Sequence, residues 1–280
     1  MLIPFTKMQG LGNDFIVLDL VSNNISLSAD QVRQLADRHF GVGFDQLLQV
    51  EPPSGPEVDF DYRIFNADGN EVEHCGNGAR CFAVFVRQRG LTDKNPIKVK
   101  TPNGILELNI NEDGQVTVNM GAPRFRPAEI PFSNPEQTLT YSRTLLENGE
   151  ETDVEFAALS MGNPHAVLQV EDIENAEVER IGKLLGHHAD FADGVNVGFM
   201  QIIDRKTIKL RVFERGAGET LACGTGACAA VVVGCARGLL DDTVLTILQG
   251  GELTINWHQN GSPVLMTGPA NTVFEGSIEI

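Results

Sequence analysis

Apolar and polar residues alternate along several short stretches of the chain. Residues 97–101 read IKVKT, 104–110 read GILELNI, and VTVNM at 116–120 follows an Asp113-Gly114-Gln115 turn. Further on, TIKLRVF (207–213), LTILQGGELTINW (245–257) and PVLMTG (263–268) show the same alternation. A period of two predicts strands with one face buried, and the glycines between them predict hairpins. Two stretches are helix-like instead. ADQVRQLADRH (29–39) and AEVERIGKLLGHH (176–188) each run to a histidine, and the second places Val178, Ile181, Leu184 and Leu185 on one face. Two more runs are apolar throughout, CFAVFV (81–86) and CAAVVV (228–233). Their valines suit strands. However, the spacing from Gly78 to Gly90, and from Gly226 to Gly238, fits a helix closed by a glycine at C′. A helix that is apolar all round is a buried one, so each run predicts a buried helix of about three turns. The whole pattern predicts a mixed α/β (α+β) fold, with several mostly antiparallel strands and helices in each half.

The halves are copies of each other. FNADGNEVEHCGNGARCFAVFVRQRG (65–90) aligns without a gap on FERGAGETLACGTGACAAVVVGCARG (213–238). Phe65 meets Phe213, Glu71 meets Glu219, Cys75 meets Cys223, and Gly76, Gly78 and Ala79 meet Gly224, Gly226 and Ala227. Val84, Arg89 and Gly90 likewise meet Val232, Arg237 and Gly238. Upstream, Gly12-Asn13 matches Gly162-Asn163 and Gln46 matches Asn196, with the two helix-like stretches lying before Gln46 and Asn196. Matches in the same order at nearly one offset indicate duplication. The breaker-rich stretch Met120-Gly-Ala-Pro-Arg-Phe-Arg-Pro127 then divides the chain into domains of 1–119 and 120–268.

Composition narrows the partners. With 280 residues, 42% of them apolar, the chain is long enough for two globular domains. Twenty-one Lys and Arg against 38 Asp and Glu leave a net charge of −17, which argues against nucleic acid or an anionic membrane as partner. A zwitterionic small molecule is indifferent to that charge. Lys7, Gln9, Asn13 and Asp14 break up the N-terminal stretch, which does not read as a signal peptide. The longest apolar run, Ala227–Ala236, is short for a membrane span. Five cysteines, an odd number, fit reduced thiols in a cytoplasmic protein.

The chemistry resides in the duplicated cysteine element. Cys75 and Cys223 each fall at the start of a buried helix, on a glycine-rich turn. The N–H groups and dipole there stabilise anions, which predicts a lowered thiol pKa. They also predict a carboxylate cradle at Gly76, Asn77, Gly224 and Thr225. Pseudosymmetric halves would set the two ends face to face across a cleft, with one substrate carboxylate between two sulfurs. That arrangement suits inversion of a carbon acid: one thiolate removes the α-proton and the other thiol protonates the opposite face. Asn13, Gln46, Asn66, Asn163 and Asn196 occupy strand or loop ends, where an amide commonly serves a turn; together they could line an amino-acid site. Glu214-Arg215 offers a carboxylate for an ammonium group and a guanidinium for a carboxylate. His165 has two readings of equal weight, an orienting group beside a sulfur or a satisfied core histidine. His74, His187 and His188 read as structural or surface residues.

Competing readings are weaker. A buried cysteine is commonly a small hydrophobe, which fits Cys81, Cys228 and Cys235 inside the apolar runs. The spacings C-x5-C and C-x4-C match zinc pairs poorly, so no metal is expected. GTGACA at 224–229 fits a dinucleotide fingerprint in form, but no strand precedes it.

KMQGLGNDF, FNADGNEVEHCGNGARC, SMGNPHAV, GVNV and VFERGAGETLACGTGACA together resemble the diaminopimelate epimerase family, and the resemblance spans the whole chain. It implies two similar α/β domains, each wrapping a sheet round a central helix, with the last strand (269–280) returning to the first domain. It implies that Cys75 and Cys223 are the acid–base pair and that LL- and meso-2,6-diaminopimelate interconvert without pyridoxal phosphate or metal. Asn13 and Gln46 would then contact the reacting centre. Asn66, Asn163, Asn196 and Arg215 would hold the distal amino-acid end, and Glu214 and His165 would tune the thiols. The resemblance further implies a homodimer. Proline and hydroxyproline racemases are the nearest alternative; they typically carry histidine after the first Cys-Gly, where this chain has Asn77. A non-catalytic amino-acid-binding module is the alternative from another class.

Overall fold

The computed structural model describes residues 2–72 and 76–280. The chain forms two compact units, Met1–Asn119 with Thr267–Ile280, and Met120–Met266. In the first unit the order is β1 (Leu2–Gly10), β2 (Asn13–Asp19), α1 (Ala29–Ala36), β3 (Gln46–Glu51), β4 (Phe60–Asn66), β5 (Glu71–Val72) and α2 (Gly76–Gln88). It continues with β6 (Ile97–Thr101), β7 (Gly104–Ile110) and β8 (Val116–Asn119). The second unit opens with β9 (Tyr141–Glu147) and β10 (Glu150–Ser160). There follow β11 (Pro164–Gln169), α3 (Val178–Gly186), β12 (Asn196–Asp204), β13 (Thr207–Glu214), β14 (Gly218–Thr220) and α4 (Gly224–Ala236). The chain ends with β15 (Thr243–Leu248), β16 (Gly251–Asn256), β17 (Leu265–Gly268) and β18 (Asn271–Glu279).

The sequence repeat is a repeat of strand pairing. In the first unit β1–β2 is antiparallel, β2–β3 parallel, β3–β4 antiparallel and β4–β6 parallel. In the second, β10–β11, β11–β12, β12–β13 and β13–β15 follow the same series. Each parallel pair brackets a helix, as a crossover requires. The terminal strand β18 adds antiparallel to β1. The matched Glu71 and Glu219 have a structural role: each accepts two hydrogen bonds from an arginine on the preceding strand, Arg63 and Arg211, at 2.6–2.8 Å.

Local chemistry explains the helices. Ser28 and Gln31 form a reciprocal capping box at the start of α1. The helix-like stretch 29–39 stops short of its histidine, at Ala36. Asp37 turns to extended backbone (ψ 122°), and its carboxylate accepts the N–H groups of His39 and Phe40, which competes with helical bonding. In α3, Val178, Ile181, Gly182 and Leu185 face inward, and Gly182 lies so near Phe213 that a Cβ there would come within 2.5 Å of its side chain. Both apolar runs are helices of 13 residues. Each ends in the same Schellman turn. Gly90 donates to Arg87 O and Leu91 to Val86 O, while Gly238 donates to Cys235 O and Leu239 to Gly234 O. Gly90 and Gly238 take φ of 67° and 72° there, where a side chain would be strained.

The central helices differ in how they are buried. Every side chain of α4 except Thr225 and Ala236 is buried, and the helix contacts β10, β11, β12, β13, β15 and β16. The helix α2 packs Phe82 against Phe60 and Tyr62, but also carries a fully buried arginine, Arg80. Cys81, Cys228 and Cys235 lie in these cores. No helix among the described residues is long and apolar enough to cross a membrane.

Candidate active site

Cys75, with His74, lies outside the described residues, so the site is described from its other members. In the second unit Cys223 is the N-cap of α4, in extended conformation (φ −116°, ψ 110°), and its side chain is buried. The sulfur lies 3.6 Å from Thr225 Oγ1. Asn163, on the turn before β11, donates from Nδ2 to Thr225 Oγ1 at 3.3 Å, and its Oδ1 lies 3.0 Å from His165 Nε2. His165 pairs in parallel register with Asn196. Asn196 donates to Pro164 O at 3.2 Å and accepts the backbone N–H of Arg215 at 2.8 Å. Six expected residues therefore form one connected set: Cys223, Thr225, Asn163, His165, Asn196 and Arg215. Glu214 also adjoins Cys223, through its charge and a side-chain hydrogen bond, and accepts from Thr220 Oγ1 at 2.5 Å. The Arg215 guanidinium donates to Asp193 O at 2.8 Å.

The direction of the Cys223 pKa corrects the sequence expectation. Burial raises the thiol well above its ordinary value, and the Glu214 carboxylate raises it further. The Thr225 hydroxyl and Gly226 N–H pull the other way and do not prevail. Desolvation of the thiolate and a like charge outweigh the donors at the helix start. The thiol is thus held in its protonated form. Gly226 maintains the close packing, since a Cβ there would meet Val212 at 3.0 Å and the Cys223 sulfur at 3.3 Å. His165 is fully buried, and desolvation, aided by the Arg215 charge, lowers its pKa to about 3. It is a buried neutral imidazole whose Nε2 pairs with Asn163 Oδ1, as in the reading of a satisfied core histidine.

The first unit holds the matching set. Asn13 follows the β1–β2 turn, where Leu11 and Gly12 both take positive φ (58° and 85°). Asn77, the second residue of α2, donates from Nδ2 to Asn13 Oδ1 at 3.4 Å. This repeats the contact of Asn163 with Thr225, the second residue of α4. Gln46 and Asn66 are cross-strand partners on β3 and β4, and Gln46 Nε2 donates to Asn66 Oδ1 at 2.9 Å. Gln46 Oε1 is buried with no hydrogen-bond partner among the described residues.

Sequence reasoning missed three groups here. Arg80 and Asp45 flank the Asn13–Asn77 pair. Asp14 is the third: it binds Lys7 Nζ at 2.5 Å and both terminal nitrogens of Arg38, at 2.7 and 3.0 Å. Burial alone would raise the Asp14 pKa, but its bonds to Arg38 and Lys7 prevail and bring it down to about 2. Asp45 and Asp14 are both neighbours of site asparagines or glutamines in sequence, a signal that could have marked them.

Similarity to known proteins bears on the family and the fold. A family model described as Diaminopimelate epimerase matches residues 5–126 and 157–273. A protein of Ectopseudomonas mendocina (strain ymp) named Diaminopimelate epimerase is 56% identical over 280 residues, covering 100% of both chains. Among solved structures, a Bacillus anthracis phenazine biosynthesis protein of the PhzF family has a TM-score of 0.68 at 18% identity, over 100% of each chain. A hydroxyproline epimerase from Agrobacterium vitis, solved with bound trans-4-hydroxy-L-proline, has a TM-score of 0.70 at 16% identity, covering 99% of this chain and 92% of its own. At such identities the structural likeness bears on the fold, which is of this mixed α/β type.

Proposed function

The chain belongs to the diaminopimelate epimerase family, and on that premise we propose that it is an isomerase interconverting LL- and meso-2,6-diaminopimelate with Cys75 and Cys223 as its acid–base pair. In one direction the Cys75 thiolate takes the α-proton and the Cys223 thiol gives its proton to the opposite face of the carbanion. The two sulfurs exchange protonation states with each turnover, and the reverse reaction resets them. No cofactor enters the scheme. The observation that carries it is the Cys223 thiol, kept protonated at the N-terminus of a buried helix by burial and Glu214. The first N–H groups of α2 and α4, at Gly76-Asn77 and Gly224-Thr225, suit the carboxylate that takes up developing charge. Gln46 Oε1, a buried acceptor, suits an ammonium group. Asn13 belongs beside the reacting centre, and Asn66, Asn163, Asn196 and Arg215 hold the distal end.

Heavy water tests the scheme. Initial meso product from LL-diaminopimelate should carry solvent deuterium at one α-carbon, while the remaining LL substrate stays largely unlabelled. Equal early labelling of substrate and product would rule out two opposed bases, and turnover of L-proline in place of diaminopimelate would move the chain to the racemase reading.

Reduced thiols in this role favour a cytoplasmic location. The same family reading makes the protein a homodimer. Support comes from β18, whose Val273 and Phe274 are 56% and 47% exposed on a terminal strand. Phe274→Asp should shift the mass seen by light scattering from two chains to one. A wild-type protein that runs as a single chain at micromolar concentration would dispose of the dimer.

A further inference from the structure

The first unit contains a line of side chains that begins at a cation and ends at an anion. Arg80, fully buried on α2, donates from Nη2 to Asn77 Oδ1 at 3.0 Å. Asn77 Nδ2 donates to Asn13 Oδ1, and Asn13 Nδ2 donates to Asp45 Oδ2 at 2.9 Å. A guanidinium can only donate and a carboxylate can only accept. The two ends therefore dictate which way both intervening amides face. We propose that Arg80 and Asp45 are positioning residues that fix the amide orientation of Asn13, and through it the hydrogen-bonding face Asn13 offers to substrate. The inference rests on the reading of Asn13 as a contact at the reacting centre.

Other features of the unit serve the same line. Arg80 is held by Pro269 O at 3.1 Å and Gly76 O at 3.4 Å, so its fork is aimed independently of Asn77. Gly10 on β1 leaves room for it, since a Cβ there would lie 3.2 Å from Arg80 Nη2 and 3.4 Å from Asn77 O. Asp45 is tied in turn by Arg38 at 2.8 Å and by the Asp14 N–H at 3.1 Å. The second unit lacks this device. Cys228 stands at the repeat position of Arg80, and Asn163 is oriented by neutral His165 on one side and Thr225 on the other. The duplicated amides thus share a helix contact but are polarised by different chemistry.

Two anchors on one relay are redundant. With Arg80→Gln, Asp45 still dictates the orientation; with Asp45→Asn, Arg80 does. Each single variant should lower kcat on LL-diaminopimelate by about threefold to tenfold. The double variant should lose about 100-fold or more beyond the product of the two, with KM moved far less. The residues belong to one hydrogen-bond network, so their effects on the thermal midpoint couple as well, and kcat is compared at a temperature where every variant is fully folded. Synergy in kcat among fully folded variants, with KM nearly unchanged, is the expected signature. Additive effects on kcat, or a kcat that tracks stability across the set, would overturn the proposal. If Arg80→Gln fails to fold, Arg80→Met takes its place, because it keeps the length of the side chain and removes every donor. Wild-type turnover is the control: if it is absent, the assigned reaction fails, whereas turnover without synergy sinks only the relay.

Discussion

Cys223→Ser is expected to reduce net epimerisation of LL-diaminopimelate by about 1,000-fold or more, within the range removed with a general acid or base. The serine hydroxyl is nearly the same size, but it is a far weaker acid than a thiol. It cannot deliver a proton at a useful rate, and in the reverse direction it cannot become the base. Cys75→Ser should cost as much, because each turnover needs one group of each kind. The site around Cys223 should survive the exchange, since Thr225 Oγ1 and the Gly226 N–H can both serve a hydroxyl. A thermal midpoint within a few degrees of wild type would establish that. The measurement is initial rate by chromatography of the LL and meso isomers under reducing conditions. A Cys223→Ser protein keeping more than a tenth of wild-type kcat would remove the thiol from the mechanism. A non-catalytic binding module would bind diaminopimelate equally well with serine at both positions, and calorimetry separates that outcome.

The second large effect is on acid stability. His165 titrates near pH 3 in the folded protein and near 6.5 when unfolded. A depressed folded pKa means the unfolded chain binds the proton first. The resulting stability is therefore complete above pH 6.5 and is lost as pH falls toward 3. The slope approaches about 1.4 kcal/mol per pH unit within that window, so the total is a few kcal/mol, a large part of the stability of an ordinary domain. His165→Gln should remove this slope: urea midpoints at pH 6.5, 5.5 and 4.5 should converge for the variant and diverge for wild type. Parallel slopes in the two proteins would show that His165 is not the titrating group. Below pH 3.8 a smaller loss should join it, as Asp14 approaches its folded value of about 2 and its bonds to Arg38 and Lys7 fail. The Asp14 side chain still meets solvent, and screening reduces its share.

The Cys223 pKa gives its own reason for the reaction to need substrate. A thiol raised by burial and by Glu214 is poorly suited as a base in the free protein. It is well suited as an acid once a carbanion stands opposite it. The donors from Thr225 and the helix start then support the thiolate it leaves behind. Glu214 is therefore both a like charge that keeps the proton on sulfur and, in the proposed scheme, a carboxylate near the substrate's charged groups.

The sequence by itself determined the features that depend on neighbours along the chain. Strand alternation at Ile97–Thr101 and Thr207–Glu214 appears as a period of two because alternate side chains face opposite sides of a sheet. The two buried helices were legible from glycine spacing, and Cys223 at the start of α4 follows directly from that spacing. The duplication was legible because both copies keep the same turn glycines, cysteine and glutamate, and the Arg–Glu strand pair came with the fold. Only the tertiary structure decided the rest. The end of α1 at Ala36 depended on Asp37, whose carboxylate takes the N–H groups of His39 and Phe40 and so opposes a further helical turn. The direction of the Cys223 pKa depended on how much protein encloses the sulfur and how near Glu214 comes to it. Neither quantity is contained in the turn of sequence that carries the cysteine. Arg80 gave no signal beside the apolar run at 81–86, because its partners, Asn77, Gly76 O and Pro269 O, include one 189 residues away. Hydrogen bonds between distant side chains require the folded backbone to bring donor and acceptor within about 3 Å. That is why the place of Cys223 at a helix start could be read from local pattern, and the side chains that Arg80 and Asp45 meet could not.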